Sequence, residues 1–409
     1  MIEMTQAKSR RWVGVGDMRI GPEEREAINA VLDSGKISEG PRTREFEKGW
    51  ASYVGTKYSV AVNSGTSALI AGLAALKVMG TKPGAKVITT PLTYIATANS
   101  IVLTGLQPVF VDIDPVHFCI TPDHIAAQLE GADDPSEYAI ILPVHLMGYP
   151  ADMDAINRLA AKYGLITMED SSQAHGTIYK GKRTGSLSRL STFSFYIAHN
   201  IQAGELGAVV TDDAELARLV RKIKANGRMC DCPVCTRRTK GCPKMEGDPE
   251  GDFDPRFTHD LVGYNFKTME FQTALASVQL TRADQIIKER QENVRYLNEG
   301  MEQYSDFLDL PEFDDKVSYL AYPMVMKDRC KLKRQKLIMS LEGHGVEARP
   351  MFGSIPNQQP AYSQYTHEYK GKLPVADHIG SRGLYVGCHQ YLDRADLDQI
   401  IATFGAVLE

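Results

Sequence analysis

The sequence predicts an α/β protein, with a large unit built on a mostly parallel sheet and a smaller C-terminal α+β unit behind it. Short β-branched runs alternate with segments of helical period at the spacing of strand–helix–strand units. Polar clusters fall directly after the strand candidates, where open α/β sheets gather their functional groups. The composition agrees, since 409 residues with 43% apolar and 24% charged side chains make an ordinary globular chain with room for two or three cores. Forty-six Lys and Arg against 51 Asp and Glu leave a net charge of −5, which offers no broad basic field to a nucleic-acid backbone. No apolar run approaches the roughly 20 residues of a membrane helix. Residues 1–11 are polar and basic with no apolar stretch behind them, so the expectation is a cytoplasmic protein that binds neither nucleic acid nor membrane.

The elements follow in order. Pro22 and the acids Glu23 and Glu24 open a helix over 21–31. Gly14 and Gly16 do not make a dinucleotide fingerprint, because Arg19 stands at the third glycine position and no strong strand precedes them. Residues 59–62 read as a strand, 67–78 as a helix, and 86–90, 108–113, 139–144 and 165–168 as further strands, with a helix at 152–163. Between 227 and 263, Pro, Gly, Asp and Cys replace any period, and so long an irregular stretch inside a compact unit points to function. From 268 to 301 the helical period returns as one long helix or two joined ones, and strand candidates at 317–325 and 383–386 belong to the small unit. The expected division is a cofactor-binding domain at 12–290, carrying the Cys-rich loop 227–263, and a small domain at 291–409.

Ser64-Gly65-Thr66 stands at a strand-to-helix turn, where unpaired N–H groups and a glycine could cradle a phosphate; the same residues also suit an ordinary helix cap. Asp170 follows a strand and could hold a protonated pyridine nitrogen, or cap a helix. These two clusters combine with Thr93-Tyr94-Ile95, with the run from Ser191 through Phe193-Ser194-Phe195-Tyr196 to His199-Asn200, and with Gly263-Tyr264-Asn265-Phe266. In this order and spacing, over most of the chain, they resemble the DegT-type sugar aminotransferases, fold-type I enzymes that use pyridoxal phosphate (PLP). The resemblance implies that Gly65, Thr66 and Ser194 bind the cofactor phosphate, that Tyr94 stacks on the pyridine ring, that Asp170 pairs with its nitrogen and that Gln173 lies near its hydroxyl. Asn265 would reach the phosphate in a neighbouring subunit, which implies a homodimer.

Two departures shape the expected chemistry. Where these aminotransferases carry a Schiff-base lysine, this sequence has His199, and no lysine occurs between Lys182 and Lys222. Imidazole forms no stable internal Schiff base but is a capable general base. Histidine here resembles the nucleotide-sugar 3-dehydratase branch, which uses pyridoxamine phosphate (PMP) to remove the C3 hydroxyl of 4-keto-6-deoxyhexoses. The resemblance thus implies a nucleotide-sugar substrate.

The second departure is Cys230, Cys232, Cys235 and Cys242, four thiols in one loop whose spacing suits structural zinc as well as an iron–sulfur cluster. The CDP-sugar member of the branch pairs PMP with a [2Fe–2S] cluster, which implies a ferredoxin-type reductase as partner. That pattern draws one cysteine from near Ser171 and Ser172, whereas this chain supplies its fourth locally. Arg237, Arg238, Lys240 and Lys244 crowd the loop, as counter-charges to a cluster or simply as a solvated face. Leu206 and the segment from Ser354 to Asn357 also depart from the family pattern and are expected near the sugar. Cys119, Cys330 and Cys388 read as buried fillers. Two alternatives stand beside the redox dehydratase: a cluster-independent 3-dehydratase with structural zinc, and a non-catalytic cofactor- or sugar-binding scaffold.

Overall fold

The computed structural model describes residues 11–232, 234–245 and 254–408, with only the backbone of Arg238. The polar start at 1–10, Pro233 as a turn residue, the Arg238 side chain and the stretch 246–253 lie outside the described residues.

The chain opens with helices α1 (Pro22–Asp33) and α2 (Pro41–Val54), each with proline in its first turn. Strand β1 (Tyr58–Val62) leads into α3 (Gly65–Val78), capped by the Ser64 hydroxyl, which accepts from Ser67 N at 3.1 Å. Then come β2 (Lys86–Thr89), α4 (Ala96–Leu103), β3 (Gln107–Phe110), α5 (Pro122–Glu130), β4 (Tyr138–Leu142), α6 (Met153–Tyr163) and β5 (Ile166–Asp170). A small hairpin of β6 (Ile178–Tyr179) and β7 (Lys182–Arg183) precedes β8 (Leu190–Ser194), β9 (Gly207–Thr211) and α7 (Ala214–Ile223).

These strands form a seven-stranded sheet in the order β1-β9-β8-β5-β4-β2-β3. Every neighbouring pair from β8 to β3 is parallel, whereas β9 runs antiparallel to both β8 and β1. That reversal matters for function. Because β9 turns straight back, the connection carrying His199 stays on the edge where β1, β2, β4, β5 and β8 end, beside every polar cluster singled out above. The core is Leu73, Leu76, Ile88, Ile140, Leu142 and Met168, all fully buried beneath that edge. Cys119, Cys330 and Cys388 are buried as well.

After α7 the described part of the irregular loop contains a short helix, α8 (Arg237–Lys240), and a 3₁₀ turn at Pro243–Met245. Its stem is ordered by ladder bonds from Met229 N to Thr258 O (2.9 Å) and from Cys230 N to Pro255 O (3.0 Å). Two helices follow, α9 (Glu270–Thr281) and α10 (Ala283–Met301), broken at Arg282 by a non-helical φ of −109° and ψ of 7°. The small unit has an antiparallel sheet ordered β10-β11-β13-β12, made of β10 (Leu308–Asp309), β11 (Tyr322–Met326), β12 (Ala348–Pro350) and β13 (Gly383–Val386). Its helices are α11 (Arg334–Gly343), α12 (Thr366–Tyr369), α13 (Pro374–Arg382) and α14 (Arg394–Leu408).

Several boundaries differ from expectation; the strands expected at 108–113 and 139–144 end at Phe110 and Leu142. The strand expected at 317–325 begins only at Tyr322, because Tyr319 takes a left-handed φ of 44°. The strand expected at 165–168 extends to Asp170, so the acid ends the strand itself. Helix α10 runs unbroken through position 290, and Val13 N bonds Gly345 O (2.8 Å), fastening the first described residues to the small unit. Among the described residues no helix is long and apolar enough to cross a membrane.

Candidate active site

Close backbone approach at the ends of β1, β8 and β9 builds a cradle. A side chain on Gly65 would place its Cβ 2.5 Å from Ser194 Cβ, and one on Gly207 would meet the Ser64 carbonyl oxygen at 2.1 Å. Both positions are glycine because neighbouring strands press the α3 N-terminus against β8 and β9. The first N–H groups of α3, at Gly65 and Thr66, lie ahead of the helix's own ladder beside the Ser194 hydroxyl, a combination that fits a phosphate.

Asp170 is buried at the end of β5. Its Oδ2 accepts from Thr97 Oγ1 (2.9 Å) and its Oδ1 from Ser172 N (3.2 Å). Burial nevertheless pushes its pKa up, against the pull of those two donors. A carboxylate so placed is short of positive charge, which fits a protonated ring nitrogen. Gln173 lies beside it with Oε1 held by Met147 N at 2.9 Å, leaving its amide hydrogens to donate. Tyr94 is 60% exposed at the mouth, with its ring edge-on to Phe352 of the small unit at 6.0 Å. Asn265 is exposed, in a segment that crosses the end of β1 through the bond from Asn63 N to Phe266 O (2.9 Å).

Behind Asp170 stands a pair to which sequence reasoning assigned no role. His145 Nδ1 accepts from Ala151 N (3.1 Å), so Nε2 carries the proton and donates to Glu169 (3.0 Å), both side chains being fully buried. Glu169 also accepts from Gly185 N, Leu187 N and Ser188 Oγ, while the His145 N–H bonds the Asp170 carbonyl at 3.0 Å. This fully satisfied carboxylate anchors the ends of β4 and β5.

His199 sits in a tight turn closed by its own N–H to Tyr196 O (2.8 Å). Its Nδ1 is inaccessible and has no hydrogen-bond partner, and burial, with Arg290 nearby, lowers its pKa to about 4. The imidazole is therefore neutral at physiological pH. His175 lies 5.9 Å away, ring to ring, in an aromatic nest of Trp50, Phe193 and Phe195. The next lysines along the chain are engaged elsewhere, Lys222 with Asp260 and Lys224 with Glu39 (2.9 Å) and the Ala61 carbonyl (2.8 Å). Leu206 is fully buried in the same nest as Phe46 and Trp50, away from the mouth where it was expected. The Ser354 segment does reach the site, through the bond from Ile355 N to Pro91 O (2.7 Å). Asn357, however, is spent on Asp377 (2.9 Å).

Cys230, Cys232, Cys235 and Cys242 are all free thiols and line one hollow together with Arg237 and Arg256. Burial, and then Cys230, raise the pKa of Cys232. Among the described residues, however, no three of His, Cys, Asp and Glu stand as a ready-made metal site. The donor set suits a thiophilic metal centre, but its atoms are not in ligand geometry. The loop's cations are also less free than expected, since Arg237 pairs with Asp254 (2.7 Å) and Lys244 with Asp231 (2.7 Å). Arg256, which was not singled out from the sequence, joins the Asp254 pair.

Comparison with known proteins agrees with this geometry. A model of the DegT/DnrJ/EryC1/StrS aminotransferase family matches residues 18–405. The chain is 32% identical to the UDP-2-acetamido-2-deoxy-3-oxo-D-glucuronate aminotransferase of Pseudomonas aeruginosa, over 98% of this chain and 99% of that one. It is 31% identical to the dTDP-4-dehydro-2,6-dideoxy-D-glucose 3-dehydratase of Saccharopolyspora spinosa, over 91% of this chain and 81% of that one. Among solved structures, the E. coli GDP-4-keto-6-deoxy-D-mannose-3-dehydratase with bound hydrated PLP superimposes with a TM-score of 0.82 at 26% identity, covering 98% of this chain and all of that one (100%). Aminotransferases and 3-dehydratases thus both stand among the similar proteins.

Proposed function

The chain belongs to the DegT/DnrJ/EryC1/StrS aminotransferase family and has the fold-type I fold of its PLP- or PMP-dependent enzymes, and on that premise we propose that it removes the C3 hydroxyl of a nucleotide-linked 4-keto-6-deoxyhexose with PMP as cofactor. The observation that carries this reading is His199, a neutral imidazole on the cofactor-cradle edge where an aminotransferase of this kind keeps an amine.

PMP supplies a primary amine that condenses with the sugar's C4 ketone and a ring that takes up the electron pair released at the neighbouring carbon. The chain's residues do the rest. Gly65, Thr66 and Ser194 would hold the phosphate, Asp170 the ring N–H, Gln173 would donate to the ring hydroxyl and Tyr94 would cover the ring face. With Nδ1 of His199 shut away, Nε2 is the nitrogen that would take the proton from the cofactor's C4′ carbon. Asn265 completes the site of a second copy, which makes the working unit a homodimer. Net deoxygenation exchanges a C–OH for a C–H and a water, and requires two electrons and two protons. Cys230, Cys232, Cys235 and Cys242 are the thiols that would hold an iron–sulfur centre, which would supply one-electron transfer from a ferredoxin-type reductase.

Borohydride treatment and intact-mass measurement test the first step, and no pyridoxyl group is expected on the chain. His199→Asn should keep PMP bound and lose elimination by roughly 10²- to 10⁴-fold. A pyridoxyl group mapped to any lysine, or near-normal turnover of the variant, refutes the role of His199. A second reading, a cluster-independent 3-dehydratase with structural zinc, is favoured by the likeness to the E. coli enzyme. Iron and sulfide analysis of anaerobically purified protein separates the two.

A further inference from the structure

Arg290 is 1% exposed, and its bonds go to neutral partners, three oxygens and the Cys388 thiol. Nη1 donates to the carbonyls of Tyr319 (3.2 Å) and Leu320 (2.8 Å), and Nε donates to Gln390 Oε1 (3.2 Å). Among the described residues no carboxylate stands within ion-pair distance of it. A buried cation compensated by neutral groups alone is costly, so the arrangement calls for a reason. The Tyr319 carbonyl also accepts, at 3.5 Å, from the side-chain amide of Asn200, which makes a shorter bond to the Ser318 carbonyl at 2.8 Å. Asn200 directly follows His199. The three successive carbonyls are offered across a residue, Tyr319, held at a φ of 44°, a conformation that a bulky side chain rarely adopts.

We infer that Arg290 is a positioning residue for His199, fastening the His199–Asn200 turn to α10 through the carbonyls of residues 318–320 and setting a fixed positive charge beside the imidazole. The inference rests on the reading of His199 as the base. It adds that the base is kept in its proton-accepting form by a charge on another element and not by burial alone. The groups around it agree. His175 faces His199 from the loop after β5 and Tyr196 from its own turn. On the segment after β13 stand Cys388, which bonds Arg290 and is pushed up to about 11, and His389, lowered to about 4, each chiefly by burial. Burial likewise holds His175 well below its usual value. All three are uncharged near neutrality, so Arg290 is the fixed charge of the group.

The test reads His199 directly. Cofactor-loaded protein carrying ¹³C-labelled histidine is titrated by NMR, and the His199 signal is assigned by its loss in His199→Asn. Arg290→Met should raise the proton affinity of His199 by about tenfold, one pH unit, and Arg290→Lys should leave it near the wild-type value. Gln390→Glu, nearly isosteric and still accepting from Arg290 Nε, neutralises the charge without emptying the core and should shift the titration the same way. The Glu variant therefore decides the matter if the Met variant does not fold. An unchanged His199 titration in Gln390→Glu overturns the inference, as does a Lys variant shifted as far as Met. The catalytic reading stands or falls separately, on the turnover of His199→Asn.

Discussion

Asp170 and His199 meet opposite protonation demands on one sheet edge, and Asp170 gives a clean sign to test. Burial raises its folded pKa, so the folded protein binds that proton more tightly than the unfolded chain does. Ionising it therefore costs stability, progressively as pH rises from the unfolded value near ~3.9 through the folded one, and the cost persists at neutral pH. Asp170→Asn removes that cost, because the amide oxygen still accepts from Ser172 N while the new NH₂ donates to the Thr97 hydroxyl, which can turn to Thr93. Cofactor-free Asn variant should melt roughly a few degrees above the wild type at pH 7 and level with it below about pH 4. The same variant should bind PMP about 10- to 100-fold more weakly, since a charge-assisted bond worth about 1.5–3 kcal/mol is lost. Fluorimetric melts across pH and a cofactor titration check both; an Asn variant that binds PMP as tightly as the wild type would remove Asp170 from the site.

Between elements, the decisive contact is the N-terminus of α3 against β8 and β9. Gly65→Ala meets Ser194 Cβ, which a second mutation can remove, whereas Gly207→Ala meets the Ser64 backbone, which no mutation can. The first should cost about 1–3 kcal/mol, the range for overpacking, and be partly rescued in stability by Ser194→Gly. The second should cost more and find no such rescue. Denaturant melts of the two single variants and the double variant would show it, and equal costs for the two alanines would refute the distinction. Much of this level was legible in the sequence, because β-branched runs ending in Ser-Gly-Thr or Asp announce strand ends whatever the tertiary packing. What stayed hidden was burial of charged residues. The helical period over 268–301 announced α10, but Arg290 was not marked out within it, although it falls in the apolar stripe of Ile286, Ile287, Val294, Leu297 and Met301. That spacing was a signal, overridden by residue type. Leu206 misled for the complementary reason, since its place in the motif suggested the mouth while its side chain turned into the aromatic nest.

Across the whole molecule, the thiol loop and the cradle are joined by a short backbone path. The loop leaves the end of α7 and returns through the bonds from Tyr264 N to Ile223 O (2.7 Å) and from Asn63 N to Phe266 O (2.9 Å), one residue before the Ser64 cap. An electron-delivering loop anchored there would serve the reaction without sharing a side chain with the proton chemistry. The two functions should then separate by mutation. With PMP and a 4-keto-6-deoxy nucleotide sugar, the protein is expected to exchange the C4′ proton with solvent in the absence of reductant, because the role proposed for His199 needs no redox help. Release of 3-deoxy sugar should require a ferredoxin-type donor as well, because proton transfer alone supplies neither of the two electrons. Cys232→Ser should therefore preserve exchange, abolish deoxygenation and bleach the iron–sulfur absorbance of anaerobic protein. Steady product formation with glutamate as the sole reductant, unaffected by Cys232→Ser, would instead assign the four thiols to structure and the reaction to the cluster-independent dehydratase.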